Sequence, residues 1–514
     1  MLKRSRDGCI GCKRAKVKCD EIRPTCGTCA RRGHLCNGYG ARPLKWQKVN
    51  KTTSVVGRKR KRNRNTPTVL VLPDTGKCNK SVAGPPPSRP DEAKRAINFK
   101  QPNPVQWRTL SAFPAGVLSP TDERIISVYF HRHPPDMVMN EEGDFMHEMN
   151  ANALLLLNHD PQVVSDTLCC IGQVYIQQSS NGSMVPALDR KGRALARLQK
   201  LANLKHSLEQ TVLLLLGLCA MDLIDDKYEP GNSAIPLLHA YAAMRIRGHM
   251  NAGLEFSHLS KYFIRGLARQ EMITALVHRR RNLIQTGVWL DEECRTSADR
   301  FMGLTVTLMP LLEELCALAE DLRACAADGR PFLSRGIGSG ESEDVGITSL
   351  AFTPSNSHLD RAANLRARIE SWRPVANRAT SVRSQQKFLY QACAHRCAAL
   401  LYLHRLFRPA GCSVEADQVA LGIACEILPY LQALPEEIRT SLWPAFMAAA
   451  ELDAREDRTA ILRVFDNMYG SRKTTTTLRT KAFVVEMIWK ARDTGQNWGW
   501  MALVDRHPYE CLPI

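Results

Sequence analysis

The sequence predicts two folded parts of very different size, a short cysteine-rich module and a large all-α domain, joined by a flexible linker. Six of the 18 cysteines fall between residues 9 and 36. Proline and turn-forming residues then dominate up to about residue 116, without a sustained hydrophobic period. From residue 117 onward, apolar residues recur at helical spacing and no convincing strand pattern is found.

The cysteine-rich module is a repeat of one unit. Its cysteines follow the spacing C-x2-C-x6-C-x6-C-x2-C-x6-C, and each cysteine of the first copy lies 17 residues before its counterpart in the second. A structural zinc ion takes four ligands in a tetrahedron, so six thiolates hold two ions only if two thiolates bridge them. The repeat indicates that the bridging residues are equivalent, one from each copy. The predicted zinc ligands are Cys9, Cys12, Cys19, Cys26, Cys29 and Cys36.

Short helices are expected to start near Cys12 and Cys29, because the free backbone N–H groups of a helix start point at the negative charge of a C-x2-C thiolate pair. Two other interpretations explain the cysteines less well. A disulfide framework requires an oxidising compartment, yet no apolar signal segment precedes the module. A single four-cysteine zinc site, with Cys19 and Cys36 spare, leaves the repeat unexplained.

Basic charge is concentrated at the same end of the chain. Residues 1–64 hold 20 Lys and Arg against 3 Asp and Glu, whereas residues 65–514 hold 50 against 48. Such a concentration beside a zinc module indicates nucleic-acid binding. Within the linker, a basic run predicts a nuclear-import signal, an arm that adds phosphate contacts, or both. Its residues are Arg58, Lys59, Arg60, Lys61, Arg62 and Arg64.

The module resembles the fungal binuclear zinc-cluster family of transcription factors in all six cysteines, in the basic run 13–18 and in Pro24. The resemblance implies two zinc ions bridged by the first and fourth cysteines, Cys9 and Cys26. It also implies that a lysine of the first helix, here Lys16, reads a CGG triplet in the major groove. Relatives usually carry a second lysine where this chain has Ala15, so readout is expected to depend more heavily on Lys16. The candidate DNA-binding residues are Lys13, Arg14, Lys16 and Lys18.

In the large region, the first helix is expected to start at Ser119-Pro120, with Ser119 as cap and Pro120 in the first turn, and to end at Pro134-Pro135. Packed antiparallel helices are expected to follow. Their predicted bounds are Leu188–Leu204, Leu208–Ile224, Ile273–Gly287, Phe301–Ala327, Leu359–Ile369, Gln385–Phe407, Gln418–Leu434, Thr459–Tyr469 and Lys481–Arg492. A Gly-, Ser- and acid-rich stretch, residues 329–357, predicts a mobile loop.

The large region resembles the second class of fungus-specific transcription factor regulatory domains. The resemblance is carried by Leu400–Phe407, Leu442–Met447 and Val485–Asp493. It implies a regulatory and partner-binding role rather than catalysis. The predicted organisation is therefore a zinc-stapled binuclear cluster module with two short helices at 1–40, a flexible basic linker at 41–116, and an all-α helical regulatory domain at 117–514.

Other candidate sites in the large region are weak. A metal site at Cys393, His395 and Cys397 is disfavoured, because His395 leaves the helix in another direction than the two cysteines. His131 and His133 are interpreted as cations at a helix end rather than as a ligand pair. The acidic stretches Asn140–Met149 and Asp222–Glu229 are interpreted as ordinary helix faces in preference to contacts for transcription machinery. The longest apolar run, Val212–Met221, is too short to span a membrane.

The leading hypothesis is a nuclear DNA-binding regulator, not an enzyme, that recognises GC-rich triplets in double-stranded DNA and acts on transcription machinery or co-regulators. The resemblance makes a fungal metabolic or secondary-metabolite biosynthetic gene set the expected target. The alternative is a zinc-dependent adaptor or RNA-binding protein without base-specific DNA readout; an enzyme with a DNA-targeting head has no supporting motif. No heptad register is found in residues 37–116, so a homodimer is expected to form through the helical region.

Overall fold

The structure is a computed structural model of the chain, and its described residues belong to two compact units, Met1–Asn65 and Thr66–Ile514. Each unit is described by itself. The described residues are 12, 17–20, 26–32, 68–69, 118–138, 144–180, 183–201, 208–224, 233–328, 355–376, 382–434, 440–508 and 510–514.

The first unit contains helix α1 (Gly27–Arg31), with Cys26 as its N-cap residue. The Cys26 backbone is extended, and its sulfur accepts a hydrogen bond from the backbone N–H of Cys29 at 3.2 Å. A short helix near Cys29 is therefore confirmed, and it begins two residues before that cysteine. Cys12 also has helical backbone.

The second unit is built almost entirely of helices, which confirms the all-α prediction. Its strand content among the described residues is one antiparallel pair of two-residue strands, β1 (Thr68–Val69) and β2 (Val375–Ala376). Short 3-10 helices at Thr286–Val288 and Val306–Leu308 and a π-helix at Phe483–Trp489 interrupt the α-helices. The α-helices are α2 (Pro120–Met137), α3 (Asp144–His159), α4 (Pro161–Ser180), α5 (Val185–Leu201), α6 (Leu208–Ile224), α7 (Ile235–Asn251), α8 (His258–Val277), α9 (Glu292–Thr296), α10 (Met309–Asp328), α11 (Asn356–Ser371), α12 (Val382–Phe407), α13 (Val414–Gln432), α14 (Leu442–Glu451), α15 (Arg455–Ser471), α16 (Thr475–Ala482), α17 (Lys490–Asp493) and α18 (Trp500–Arg506).

Helix α2 begins as the sequence predicts. The Ser119 hydroxyl accepts a hydrogen bond from the backbone N–H of Asp122 at 3.1 Å, and Pro120 occupies the first helical position. Both features satisfy or remove N–H groups that a helix start leaves without intrahelical partners. The start of helix α2 is thus fixed by local capping chemistry.

The predicted end of α2 is wrong. The helix passes through Pro134 and Pro135 and ends at Met137. Proline removes a backbone donor and crowds the preceding turn, so Pro134 and Pro135 donate no backbone hydrogen bonds to this helix. Both lie within its last four residues, and only Asp136 and Met137 follow them before the helix ends. The backbone N–H of Val138 still donates to the carbonyl of Pro134 at 3.1 Å.

Several predicted helices differ from the observed ones by a few residues at one or both ends, and two differ by much more. The segment Ile273–Gly287 is α-helical only to Val277, because Arg279 adopts a left-handed backbone conformation with φ of 49° and the chain leaves the α-helix. The segment Phe301–Ala327 becomes α-helical only at Met309. Before that point, residues Asp299 and Gly303 form a tight backbone bridge, with N···O distances of 2.8 and 2.9 Å.

Helix α6 forms the centre of one half of the core. It is apolar around nearly its whole circumference, most of its residues are buried, and it runs from Leu208 to Ile224, both bounds as predicted. It packs against α4, α5, α7 and α8. A methyl group added at Gly217 would lie 2.4 Å from Cγ2 of Thr167, so the glycine permits the close approach of α4.

Helices α12, α13 and α14 pack together in the other half of the core. Trp443 and Phe446 of α14 are almost fully buried there. Among the described residues, none of the helices is both long enough and apolar enough to cross a membrane.

Candidate metal centre and nucleic-acid interface

Three of the predicted zinc ligands converge in the first unit. The sulfur of Cys12 lies 3.5 Å from that of Cys26 and 3.7 Å from that of Cys29. Four sulfurs at a Zn–S distance of about 2.3 Å in a tetrahedron lie about 3.8 Å apart. All three side chains are buried. The spacing and the chemistry of these sulfurs therefore fit one zinc ion.

A second group of donor atoms shares Cys26 with the first. It consists of Cys19, Asp20 and Cys26, whose donor atoms all lie within 4.8 Å of one another. Cys26 is therefore the described residue common to two potential metal positions. A sulfur in such a place can contribute to two tetrahedra at once, which is what six ligands for two ions require.

Asp20 also holds helix α1 in place. Its Oδ2 accepts a hydrogen bond from the Thr28 hydroxyl at 3.3 Å and lies 3.7 Å from Nη2 of Arg31. The carboxylate thus ties the stretch after Cys19 to the second cysteine pair. The sequence does not predict this role, because isolated polar residues carry no periodic signal.

The cysteine sulfurs must lose their protons to bind metal. Burial raises the pKa of the Cys26 thiol, while the Cys29 N–H bond acts in the opposite direction. Zinc must therefore displace protons from these sulfurs, which makes its affinity dependent on pH.

The basic residues are placed only in part. Lys18 is exposed next to buried Cys19, and Val17 packs against the cysteines with its N–H donating to Cys12 O at 3.1 Å. Several predicted site residues lie outside the described residues. They are Cys9, Cys36, Lys13, Arg14, Lys16, Arg58, Lys59, Arg60, Lys61, Arg62 and Arg64.

Comparison with known proteins assigns both regions. Residues 7–46 match the fungal Zn(2)-Cys(6) binuclear cluster domain, and residues 115–512 match the fungal specific transcription factor domain. The chain belongs to the fungal Zn(2)-Cys(6) transcription factors. It is therefore a DNA-binding transcription regulator whose cluster binds two zinc ions. Because the family consists of transcription factors, the chain is not an enzyme, and the family implies a nuclear location.

The matching relatives share mainly short segments with this chain. A Zn(2)-C6 fungal-type transcription factor of Gibberella zeae is 54% identical over 35 residues, which are 7% of each chain. White-opaque regulator 2 of Candida albicans is 40% identical over 72 residues, 14% of this chain and 13% of the relative. An aspercryptin biosynthesis cluster-specific transcription regulator of Emericella nidulans is 56% identical over 36 residues, 7% of this chain and 6% of the relative. No solved structure matches the chain.

The weak metal candidate in the regulatory region is a set of core residues. Cys393, His395 and Cys397 are all buried. The Nδ1 of His395 lies 2.9 Å from the Gln391 carbonyl. Burial raises the pKa of both thiols and lowers that of His395 to about 4. Among the described residues, the groups with metal-compatible spacing are those of the cysteine module.

The interpretation of His133 as a cation at a helix end is wrong. The ring is buried, and its Nδ1 lies 3.3 Å from the Tyr175 hydroxyl. Burial lowers the pKa of His133 well below its usual value, so the ring is neutral at physiological pH. His131 remains exposed, with its Nδ1 2.8 Å from the Ser127 carbonyl.

Asp222, the first residue of a predicted acidic stretch, has a structural role. It forms a buried ion pair with Lys191 and accepts a hydrogen bond from the Ala234 N–H at 3.2 Å. These contacts join α5, α6 and the start of α7. Asp222 is therefore buried and not exposed to a partner protein, so the interpretation of this position as an ordinary solvated helix face is wrong.

Proposed function

We propose that this regulator controls a fungal metabolic or secondary-metabolite biosynthetic gene set by binding CGG-like triplets in double-stranded DNA. The observation that carries the proposal is the cluster-domain match at residues 7–46, which coincides with the basic end of the chain. The Emericella nidulans relative regulates the aspercryptin biosynthesis cluster by its name. Its short match supports the choice of pathway class.

The proposed metal centre uses all six cysteines, with Cys9 and Cys26 bridging the two ions. The position of Cys26 in both donor groups supports its bridging role. The equivalence of Cys9 to Cys26 in the repeat supports the other half of the bridge.

In the proposed DNA complex, Lys16 donates to guanine in the major groove, while Lys13, Arg14 and Lys18 add contacts around it. Lysine can donate to guanine O6 and N7, a contact worth about 1–3 kcal/mol of base discrimination. Lys18 is exposed, as a phosphate contact requires. The basic run 58–64 serves nuclear import and adds charge that is attracted to DNA.

The helical region is proposed to recruit co-regulators and to form a homodimer. Helix α7 supports the second role, because Leu237 and Met244 lie seven residues apart on it and are 75% and 55% exposed. Large apolar side chains on one helix face are a common feature of interfaces. A dimer formed there, with a long linker between each cluster and its helical region, tolerates variable spacing between half-sites.

Selection of random duplex DNA by the zinc-loaded full chain tests the proposal. Enrichment of a CGG-like element is expected. If the selected pool stays random, or if single-stranded RNA competes fully, the chain is an adaptor or an RNA-binding protein. Mapping of bound sites across the genome, with expression measured after deletion of the gene, then identifies the controlled gene set.

A further inference from the structure

The helical unit contains a cleft with the dimensions of a small-molecule site. Its volume is about 490 Å³, and it opens between α10, the end of α12 and α18. We call it the α18 cleft. Its main lining residues are Arg279, Leu322, Arg323, Leu406, Trp500 and Asp505. Known small-molecule sites commonly occupy about 300–1,000 Å³.

A second cavity, beside His133 and Arg300, is much smaller. Its volume of about 50 Å³ accommodates about three to five water molecules, each of which needs about 10–15 Å³. The α18 cleft is therefore the better candidate for an organic ligand.

The floor of the α18 cleft is apolar and rigid. Leu322 and Trp500 are 6% and 2% exposed. The Trp500 ring contacts Phe446 edge to face, with ring centroids 5.4 Å apart at 79°. An aromatic ring or an aliphatic chain on this floor would be removed from water. The Nε1–H of Trp500 in this floor has no hydrogen-bond partner within the described part of the chain.

The rim of the cleft carries a net positive charge. Arg323 Nη2 lies 3.2 Å from Asp505 Oδ1, and Arg279 pairs with the other oxygen of the same carboxylate. Two guanidinium groups thus share one carboxylate. His278, behind Arg323, adds no charge at neutral pH, because burial lowers its pKa to about 4. Arg405, deeper in the cleft, is already paired with two carboxylates.

The backbone of Arg279 is a second, independent sign of a site. Arg279 has φ of 49° and is the one non-glycine residue with positive φ among those the structure describes. Glycine suits this position at the end of α8. An arginine at this position is explained by the ion pair that its side chain forms with Asp505. The Nε–H of Arg279 has no hydrogen-bond partner within the described part of the chain.

We propose that the α18 cleft binds a small organic molecule with an apolar ring or chain and a single carboxylate. The carboxylate pairs with Arg279 and Arg323, and the apolar part covers Leu322 and Trp500. Guanidinium groups recognise carboxylates through paired N–H donors, so the charge on the ligand is required as well as its shape. This site is distinct from DNA binding, and its test does not depend on the proposed triplet recognition.

The test is calorimetric titration of the zinc-loaded full chain with carboxylates of graded size: benzoate, phenylacetate, indole-3-acetate and octanoate. At least one acid is expected to bind about tenfold or more tightly than its uncharged amide of the same shape. Equal binding of acid and amide, or no binding by any acid of the series, overturns the proposal.

Variants locate the site. Arg279→Gly removes the guanidinium while suiting the left-handed backbone, so the chain is expected to fold and to lose acid binding about tenfold or more. Ala502→Trp fills the cleft from α18 and should abolish binding. Arg281→Gln is the matched control, because Arg281 pairs with Glu320 and Asp321 outside the cleft. Unchanged acid binding in Arg279→Gly and Ala502→Trp places the ligand elsewhere and overturns the proposal.

Discussion

Arg405 and Glu451 form a buried, two-pronged ion pair that joins α12 to α14. Arg405 Nε and Nη2 donate to the two carboxylate oxygens of Glu451 at 2.9 and 2.5 Å. The two side chains are 2% and 1% exposed. Arg405 Nη1 also donates to Asp417 of α13 at 2.7 Å. Although burial disfavours the guanidinium charge, these carboxylates raise the pKa of Arg405. The guanidinium group of Arg405 therefore links the three helices α12, α13 and α14.

The first prediction concerns this pair. Glu451→Ala leaves a buried guanidinium with one remaining carboxylate partner, and it should destabilise the helical unit by about 3–5 kcal/mol. The double variant Arg405→Met with Glu451→Leu should recover most of that loss, because apolar side chains need no partner. Urea denaturation followed by circular dichroism measures both.

The matched control for this prediction is Glu370→Ala. Glu370 pairs with Arg366 at 2.9 Å on the surface of α11, where both side chains are more than half exposed. Its loss should change stability by about 0–1 kcal/mol. If Glu451→Ala has no larger effect than this control, the buried pair does not stabilise the fold.

The sequence predicts features that depend on neighbours along the chain. The Ser119 cap, the bounds of α6 and the convergence of Cys12, Cys26 and Cys29 all follow from local spacing or pattern. It does not predict the ion pair between Arg405 and Glu451, because 46 residues separate them and no periodic pattern relates the two positions.

Turns and short apolar helices were equally hard to predict. Helix α14 was missed because it is short, fully buried and carries Pro444 in its first turn, so it shows no polar face. The sequence does not predict the turn after α8, because Arg279 adopts the left-handed conformation there. A glycine usually occupies such a position and marks the end of a helix in the sequence.

A second prediction concerns acid stability. Burial lowers the pKa of His395 to about 4, against a usual value near 6.5, and the same holds for His239. Between these values the unfolded chain binds a proton that the folded chain does not, so stability falls as pH decreases from about 6.5 to about 4. Each ring contributes up to about 3 kcal/mol. Below a pH of about 4, these rings are protonated in both the folded and the unfolded chain, and they lower the stability no further.

Denaturation midpoints measured across that pH window check the sign. His395→Gln should reduce the slope, and His131→Gln, at an exposed position, should leave it unchanged. A slope that is the same in His395→Gln and the parent chain would contradict a neutral, buried His395.

The third prediction concerns the zinc ions. Native mass spectrometry of the full chain should find two zinc ions. Cys26→Ser should lose both, because a bridging sulfur completes both sites, whereas Cys36→Ser should retain part of one. Cys425→Ser, at an exposed position on α13, is the control and should retain both. A single zinc ion in the parent chain, with Cys19 open to alkylation, would refute the bridged centre.

The fourth prediction separates base reading from phosphate attraction. Lys16→Met should flatten the selected DNA motif more than it weakens total binding, because it removes a base contact. Replacement of the basic residues of 58–64 by neutral ones should have the opposite effect. It should lower the dependence of DNA binding on salt or reduce nuclear entry, and it should leave the selected motif unchanged. An unaltered motif in Lys16→Met would show that another residue reads the triplet.

The last prediction concerns assembly. A coiled coil needs apolar a and d positions over about three to four heptads, and residues 37–116 contain no such register. Zinc-loaded residues 1–116 should therefore sediment as a monomer at micromolar concentration, while the full chain should form a dimer. Leu237→Glu should dissociate that dimer, because it places a charge at the exposed apolar face of α7. Leu359→Glu, at a 45% exposed position on α11, is the matched control. A stable dimer of residues 1–116 would place the dimerisation element in the linker, and a full chain that stays dimeric in Leu237→Glu would exclude the α7 face.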